Sequence, residues 1–185
     1  MNNGDSGYTS DPFYHQKESV YIRGGDVMIG KKRKLGKKIN ELKIGDHYTT
    51  EKTIEDRDLL MYLGLSDDAN PLYIQHDYAS QTPFKRPVAP TVMLQGMISS
   101  LISMQLPGPG SHILRQEMDF PKPVYHYADL SFRLEVVEKD TAKHSVTLSI
   151  IVKDSDGDEV IKGVAVVSPP YEPESMTAKS LENFY

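Results

Sequence analysis

Residues 89–110, APTVMLQGMISSLISMQLPGPG, lie in the longest apolar stretch of this sequence that carries no charged side chain, and they decide how the rest must fold. Pro87 and Pro90 stand before the apolar run and Pro107-Gly108-Pro109-Gly110 after it, so helix-breaking residues mark both ends. Between them Met93, Met97, Leu101 and Met104 recur at helical spacing, as do Leu94, Ile98, Leu101 and Ile102. This pattern predicts a helix of about four turns with apolar side chains round most of its circumference, which belongs in a core. It is not a membrane span, which needs roughly 20 residues with few polar ones, because Gln95, Ser99, Ser100, Ser103 and Gln105 interrupt it. Gly96, Ser99, Ser100 and Ser103 are small and share one helical face, along which something can lie close.

After this helix the apolar period changes from that of a helix to that of a strand. Ile113 to Phe120 leads into the Pro-broken Phe120-Pro121-Lys122-Pro123-Val124. Leu130, Phe132, Leu134 and Val136 then alternate with polar residues, and Val146, Leu148, Ile150 and Val152 do the same. Asp154-Ser155-Asp156-Gly157-Asp158 reads as a hairpin turn, and Val160 to Val167 is apolar enough on both sides to be a central strand. One long helix followed by antiparallel strands is an α+β arrangement, in which the sheet must curl round the helix to cover it. Such a sheet leaves unpaired edges, so a dimer is expected.

Ahead of the helix, residues 1–38 read as an extension: a weakly ordered arm, a possible hairpin at Ser19 to Ile29 around Gly24-Gly25, and a basic linker. The linker is Lys31 to Lys38, KKRKLGKK, with six basic side chains in eight positions. It reads either as a solvated spacer or as a contact for the phosphates of a coenzyme or for an acidic carrier surface, with nucleic acid or an anionic membrane as a third reading. The domain proper is read over residues 39–168, and residues 169–185 as a loose tail. His47 to Thr53 is a short strand feeding a helix that runs to about Leu65, with Thr53 and Asp56 as its capping pair. Ser66 to Tyr73 is a polar loop, because Pro71 excludes helix at Asn70, and Gln75 to Ser80 adds a helical turn.

Composition narrows the function classes. A formal net charge of -5 over 185 residues argues against nucleic acid as the main partner. The absence of Cys removes disulfides, thiolate zinc sites and cysteine nucleophiles, and with no secretory pattern at the start it predicts a cytoplasmic protein. The six His are scattered singly, so no metal and no cofactor is expected. Gly108-Pro109-Gly110 is no phosphate cradle, because each Pro removes a donor.

The order of Asp68-Ala69-Asn70-Pro71-Leu72, Val88-Ala89-Pro90-Thr91, Leu106-Pro107-Gly108-Pro109-Gly110 and Phe120-Pro121-Lys122-Pro123-Val124, with Asp129 shortly after, resembles the MaoC-like hydratases and dehydratases of the hotdog fold. That family includes (R)-specific enoyl-CoA hydratases, and the resemblance spans roughly Ile39 to Val167. It implies an antiparallel sheet wrapped around the long helix. It also implies addition of water to enoyl thioesters of coenzyme A or acyl carrier protein, or the reverse dehydration of 3-hydroxyacyl thioesters.

In the family the catalytic pair is the Asp of D-x-N-P-x-H and the His that ends it. Asp68 matches the Asp, but Tyr73 occupies the His position. A tyrosine with its ordinary pKa of ~10 is ionised in only about one molecule in a thousand at neutral pH, so Tyr73 can orient water but hardly deprotonate it. By the same resemblance the N–H near Thr91 polarises the thioester carbonyl, where many relatives carry Ala-His-Gly in place of Ala89-Pro90-Thr91. The alternative for Thr91 is a helix cap alone. Asn70 and Pro71 shape the loop that carries Asp68, and Gly96 and Ser99 leave room for the acyl chain.

His76 is a substitute base if it shares a helical face with Tyr73, and otherwise a surface histidine. Asp67 beside Asp68 reads as solvated or capping. Two functions follow. One is a hydratase/dehydratase weakened by the missing His. The other is an acyl-thioester-binding module, or the inactive subunit of a heteromer whose related partner brings the intact pair.

Overall fold

The computed structural model describes residues 35–172. The hairpin expected at Ser19 to Ile29 and the first four residues of the basic run lie outside them. Five strands and four helices follow one another as β1 (His47–Thr53), α1 (Asp56–Ser66), α2 (Pro71–Ile74), α3 (His76–Ser80), α4 (Thr91–Met104), β2 (His112–Asp119), β3 (Asp129–Asp140), β4 (Ser145–Lys153) and β5 (Glu159–Ser168). The strands form one antiparallel sheet in the order β1-β3-β4-β5-β2. This is the hotdog arrangement: a single sheet folded over α4, with β1 and β2 at its edges.

The alternation read from the sequence is the alternation of burial. Leu130, Phe132, Leu134 and Val136 of β3 and Val146, Leu148, Ile150 and Val152 of β4 are all buried. They pack with Leu94, Ile98 and Ile102 of α4 in one core cluster that also takes in Ile161, Ala165 and Val167 of β5. Each such Leu, Ile or Phe contributes about 1.5–3 kcal/mol relative to leaving it in water. Register shifts at Val136/Glu138 in the β3–β4 pair and at Val152/Lys153 in the β4–β5 pair mark irregularities of the kind that bend a strand and help a sheet curl. β5 lies inside the sheet between β4 and β2, as its two-sided apolar pattern predicts. Asp154 Oδ1 accepts from the amides of Asp156 at 3.1 Å and Asp158 at 3.0 Å, which makes residues 154–158 the expected hairpin turn.

Four expectations need correction. The sheet does not cover α4 all round. Met93, Leu94, Ile98 and Ile102 are buried, but Val92 and Met104 on the far side are exposed, because a single layer covers only one side of a helix. The cap of α1 is Glu55, in a reciprocal box with Asp58, and not Thr53 with Asp56. Thr53 instead donates its hydroxyl to Asp129 across the β1–β3 pair, while Asp56 accepts from the Tyr127 hydroxyl at 2.7 Å. The loop expected at Ser66 to Tyr73 turns helical from Pro71, since proline at a first helical position has its φ already set.

The fourth correction concerns the flanks. Pro169 and Pro170, expected in a loose tail, are buried, and Tyr171 stacks on His144 with ring centroids 3.8 Å apart. The end of the basic run is likewise docked. Gly36 N–H donates to Pro109 O and Lys37 N–H to Pro107 O, both at 2.8 Å. Gly36 is required there, because a Cβ would lie 2.2 Å from Pro107 O. Lys37 pairs with Asp46 at 2.9 Å and Lys38 with Glu172.

Candidate active site

α1 ends at Asp67, which adopts a left-handed conformation with φ 54° and donates its N–H to Leu63 O at 2.9 Å. Asp67 is therefore the exposed capping residue, as expected. The turn it makes brings the next residue, Asp68, back against the helix just completed. There Tyr62 Oη donates to Asp68 Oδ2 at 2.8 Å, and Asp68 N–H donates to Ser66 Oγ at 3.3 Å. Ser66 Oγ in turn donates to Tyr62 O at 2.7 Å. Asp68 is half-buried, with one carboxylate oxygen held from the helix side.

The chain then starts α2. Asn70 Oδ1 accepts from Leu72 N–H at 3.0 Å and caps this short helix, with Pro71 in its first position. Tyr73 is half-buried two residues on from Pro71, its N–H bonded to Asn70 O at 2.9 Å. Burial raises the Tyr73 phenol above the ordinary tyrosine range and the Asp68 charge adds to this, against an opposing hydrogen bond from the Asn70 side chain. The Tyr62 phenol is raised too, chiefly by its hydrogen bond to Asp68 and then by burial. Both phenols are thus neutral O–H donors at neutral pH, and neither is a base.

Thr91 is the first residue of α4 and not its cap. Pro90 holds the cap position without a side-chain hydrogen bond, and the first intrahelical bond runs from Leu94 N–H to Pro90 O at 3.2 Å. The amides of Thr91, Val92 and Met93 precede that bond and form the donor end of the helix. The segment leading into α4 is pinned from two sides. Val88 N–H donates to Leu72 O at 3.2 Å, and Ala89 N–H to Val124 O at 2.7 Å. Through Leu72, the loop carrying Asp68 and Tyr73 and the start of α4 are fixed relative to each other.

Beside Asp68 a cleft of about 850 Å³ opens between β1, α1 and α4. Tyr62 and Ser66, both bonded to Asp68, form part of its wall, as do Val92, Gly96 and Ser100. The stripe of small residues read from the sequence is divided by the fold. Gly96 and Ser100 face the cleft, whereas Ser99 Oγ points to Gln116 Oε1 on β2 at 3.4 Å. Ser103 Oγ is turned back to Ser100 O at 3.2 Å.

His76 does not share a helical face with Tyr73. Gln75 is extended, with φ -110° and ψ 103°, so α2 stops before α3 begins and His76 lies exposed at the start of the latter. Two residues near the site belong to none of the motifs read above. Tyr62 packs with Leu59, three residues before it, against the core; its signal is a phenol on that face where an aliphatic side chain would have served. His126 stands near the Tyr73 and Val88 carbonyls; among the described residues its buried Nε2 has no hydrogen-bond partner, and burial lowers its pKa below the ordinary histidine value. Among the described residues no group of three or more His, Cys, Asp or Glu side chains is arranged to hold a metal ion, and no helix is long and apolar enough to cross a membrane.

Comparison with known proteins agrees with this geometry. The family model for the MaoC like domain matches residues 40–155. An (R)-specific enoyl-CoA hydratase of Rhodospirillum rubrum is 32% identical over 130 residues, covering 70% of this chain and 90% of its own. A 3-hydroxybutyryl-CoA dehydratase of Methylorubrum extorquens is 29% identical over 136 residues, covering 73% and 85%. Among solved structures, an unliganded R-hydratase of Pseudomonas aeruginosa superposes with a TM-score of 0.69 at 32% identity, covering 77% of this chain and 97% of that one. With one sheet folded over one helix, and Asp68 and the start of α4 pinned together beside the cleft, the chain belongs to the MaoC-like domain family.

Proposed function

We propose that this protein is a hydratase/dehydratase that adds water to 2-enoyl thioesters of coenzyme A or acyl carrier protein and runs the reverse elimination on 3-hydroxyacyl thioesters. The observation that carries this reading is the Tyr62–Asp68 pair beside an apolar cleft, with the donor end of α4 tied to the same loop through Leu72. The hydratase and dehydratase activities of the similar proteins support it.

In this mechanism the Asp68 carboxylate takes a proton from water as the water oxygen bonds to C3 of the enoyl group. The π electrons move toward the thioester, and the negative charge that develops on its carbonyl oxygen meets the Thr91 N–H at the positive end of α4. The proton taken by Asp68 passes to C2, so that one water has been added across the double bond. Tyr73 contributes a hydrogen bond from its hydroxyl that holds the water or the acyl group. It does not share the proton transfer, because its phenol is raised even above the ordinary tyrosine value. Asn70 and Pro71 keep Asp68 in place by starting α2 where they do.

The test is hydration of a short enoyl-CoA by the wild type, Asp68→Ala and Tyr73→His. Turnover by the wild type that survives Asp68→Ala undiminished removes Asp68 from the mechanism.

Tyr73 also favours a second reading, in which the chain binds an acyl thioester without converting it, or serves as the inactive subunit of a heteromer. Thermal stabilisation by acyl-CoA with no turnover supports that reading, and robust turnover by the isolated chain dismisses it. In either case we infer assembly into a homodimer, or a dimer with a related subunit. Among the described residues β1 and β2 each have one edge without a partner strand, and Leu114 of β2 is exposed, which supports this. A cytoplasmic location belongs to the same reading.

A further inference from the structure

Hydration moves two protons: one leaves water as its oxygen bonds to C3, and one arrives at C2. The Tyr73 phenol is poorly placed for either transfer. Burial raises it, its hydroxyl is engaged with the Asn70 side chain, and it does not line the cleft. Tyr62 is placed differently. Its ring packs against the core, it lines the cleft, and its hydroxyl donates to Asp68 Oδ2 at 2.8 Å.

Bond lengths restrict where C2 lies. It is one bond from the thioester carbonyl carbon, whose oxygen meets the donor end of α4, and one bond from C3, where the water held by Asp68 adds. C2 and C3 are about 1.5 Å apart, so the group that protonates C2 has to stand about a hydrogen bond's length from the group that deprotonates water. Tyr62 meets this condition, and Val92, which follows Thr91, lines the same cleft. Among the described residues the side chains bonded to Asp68 are those of Tyr62 and Ser66. The Ser66 hydroxyl proton is committed to Tyr62 O at 2.7 Å, which leaves the Tyr62 phenol as the proton donor.

The chemistry of a phenol suits this task. The hydrogen bond to Asp68, and then burial, raise Tyr62 above the ordinary tyrosine range, so it carries its proton at neutral pH. The carbon of a thioester enolate is a far stronger base than a phenolate and takes that proton. The phenolate left behind lies against a carboxyl that has just been protonated, and a carboxylic acid is a far stronger acid than a phenol.

We propose that Tyr62 is a catalytic residue, the general acid that protonates C2, and that it works with Asp68 as a relay pair. Asp68 takes a proton from water as the C3–O bond forms and the π pair moves onto the thioester. The Tyr62 O–H bond then breaks, and its proton joins C2 as the enolate electrons return to make the C2–H bond. Last, the proton on Asp68 passes to the Tyr62 oxygen across the 2.8 Å contact. Both side chains end as they began, and one water has been added. Because the two groups are in contact, both new bonds form on one face of the double bond. The proposal rests on the hydratase reading given above.

Hydration of crotonyl-CoA by the full chain in D2O tests it, with proton NMR reading which C2 position of the product carries deuterium. The wild type is expected to deuterate C2 on one face. Tyr62→Phe keeps the ring and loses the acid, so kcat is expected to fall by about a hundredfold. Deuterium then appears on both faces of C2, because solvent protonates the enolate. Ser66→Ala removes a contact that only positions Asp68 and is expected to keep deuterium on one face. A Tyr62→Phe product still deuterated on one face limits Tyr62 to positioning Asp68 and overturns the proposal. A wild type that deuterates both faces overturns it as well, and in both cases the hydratase reading stands. A wild type that does not hydrate crotonyl-CoA defeats the hydratase reading, and this proposal with it.

Discussion

Tyr62 Oη lies 2.8 Å from Asp68 Oδ2, so one oxygen of the proposed base is held by a helix that packs on the core. A hydrogen bond to a charged group is worth about 1.5–3 kcal/mol. Tyr62→Phe keeps the ring packing and removes only this bond. It is expected to lower kcat by roughly tenfold to a hundredfold with a smaller effect on KM, measured on a 2-enoyl-CoA. A change confined to KM would mean that Tyr62 contacts substrate and does not position Asp68.

Under the proposed mechanism, Tyr73→His puts a group that titrates near neutrality at the position where the resemblance expects a histidine. A positioned general base contributes about 10²–10⁴-fold, and even partial recovery predicts a rise in kcat/KM of at least about tenfold. The variant also acquires a new acid limb near pH 6.5, the ordinary pKa of histidine, because imidazolium cannot accept the proton. A pH–rate profile that gains neither amplitude nor limb would place residue 73 outside the reaction.

His126 makes stability depend on pH. Burial lowers its folded pKa below the unfolded value of ~6.5, so below about pH 6.5 the unfolded chain binds the proton more readily than the folded one. Stability is therefore full above that pH and falls as the pH drops through it toward the folded pKa. His126→Gln is expected to flatten this part of the curve in urea unfolding followed between pH 5 and 8. An unaltered slope would show that another group titrates there.

Ile98 is fully buried at the centre of α4, against the sheet. Ile98→Ala should cost about 2–5 kcal/mol through lost burial and the cavity left behind. In a domain of this size that lowers Tm by roughly 2–4 °C per kcal/mol, which differential scanning calorimetry reads directly. The same substitution at exposed Val92, on the far side of the helix, should change Tm little.

Gly163 of β5 sits opposite Met118 of the paired edge strand β2. A Cβ there would fall 2.1 Å from Glu117 O and 2.6 Å from Met118 Sδ. Because the first of these is backbone, Gly163→Ala must push β2 away from the sheet. Loss of amide protection in β2 ahead of β3 and β4, seen by hydrogen exchange, is the expected signature. Equal protection in all strands would show that the edge can shift to accommodate a methyl group.

Much of this protein is written locally. The uncharged run from Ala89 to Gly110 determined a central helix, since no other structure satisfies a 3.6-residue apolar period bracketed by prolines. The two-residue alternation from Leu130 to Val167 determined three adjacent antiparallel strands, because that period fixes which side chains share a face. Motif order singled out Asp68, Asn70, Pro71 and Thr91 as the proposed site, with Tyr73 as its proposed departure, and the fold sets them on one loop and at the start of α4. The tertiary structure decided what depends on residues distant in sequence or on direction in space. A left-handed turn at Asp67 returns Asp68 to Tyr62, and a bond between Val88 and Leu72 ties the start of α4 to the Asp68 loop. Ser99 and Gly96 look equivalent in a helical period, yet the sheet lies on one side of α4 and the α1 cleft on the other. The period fixes which residues share a face; only packing decides what that face meets.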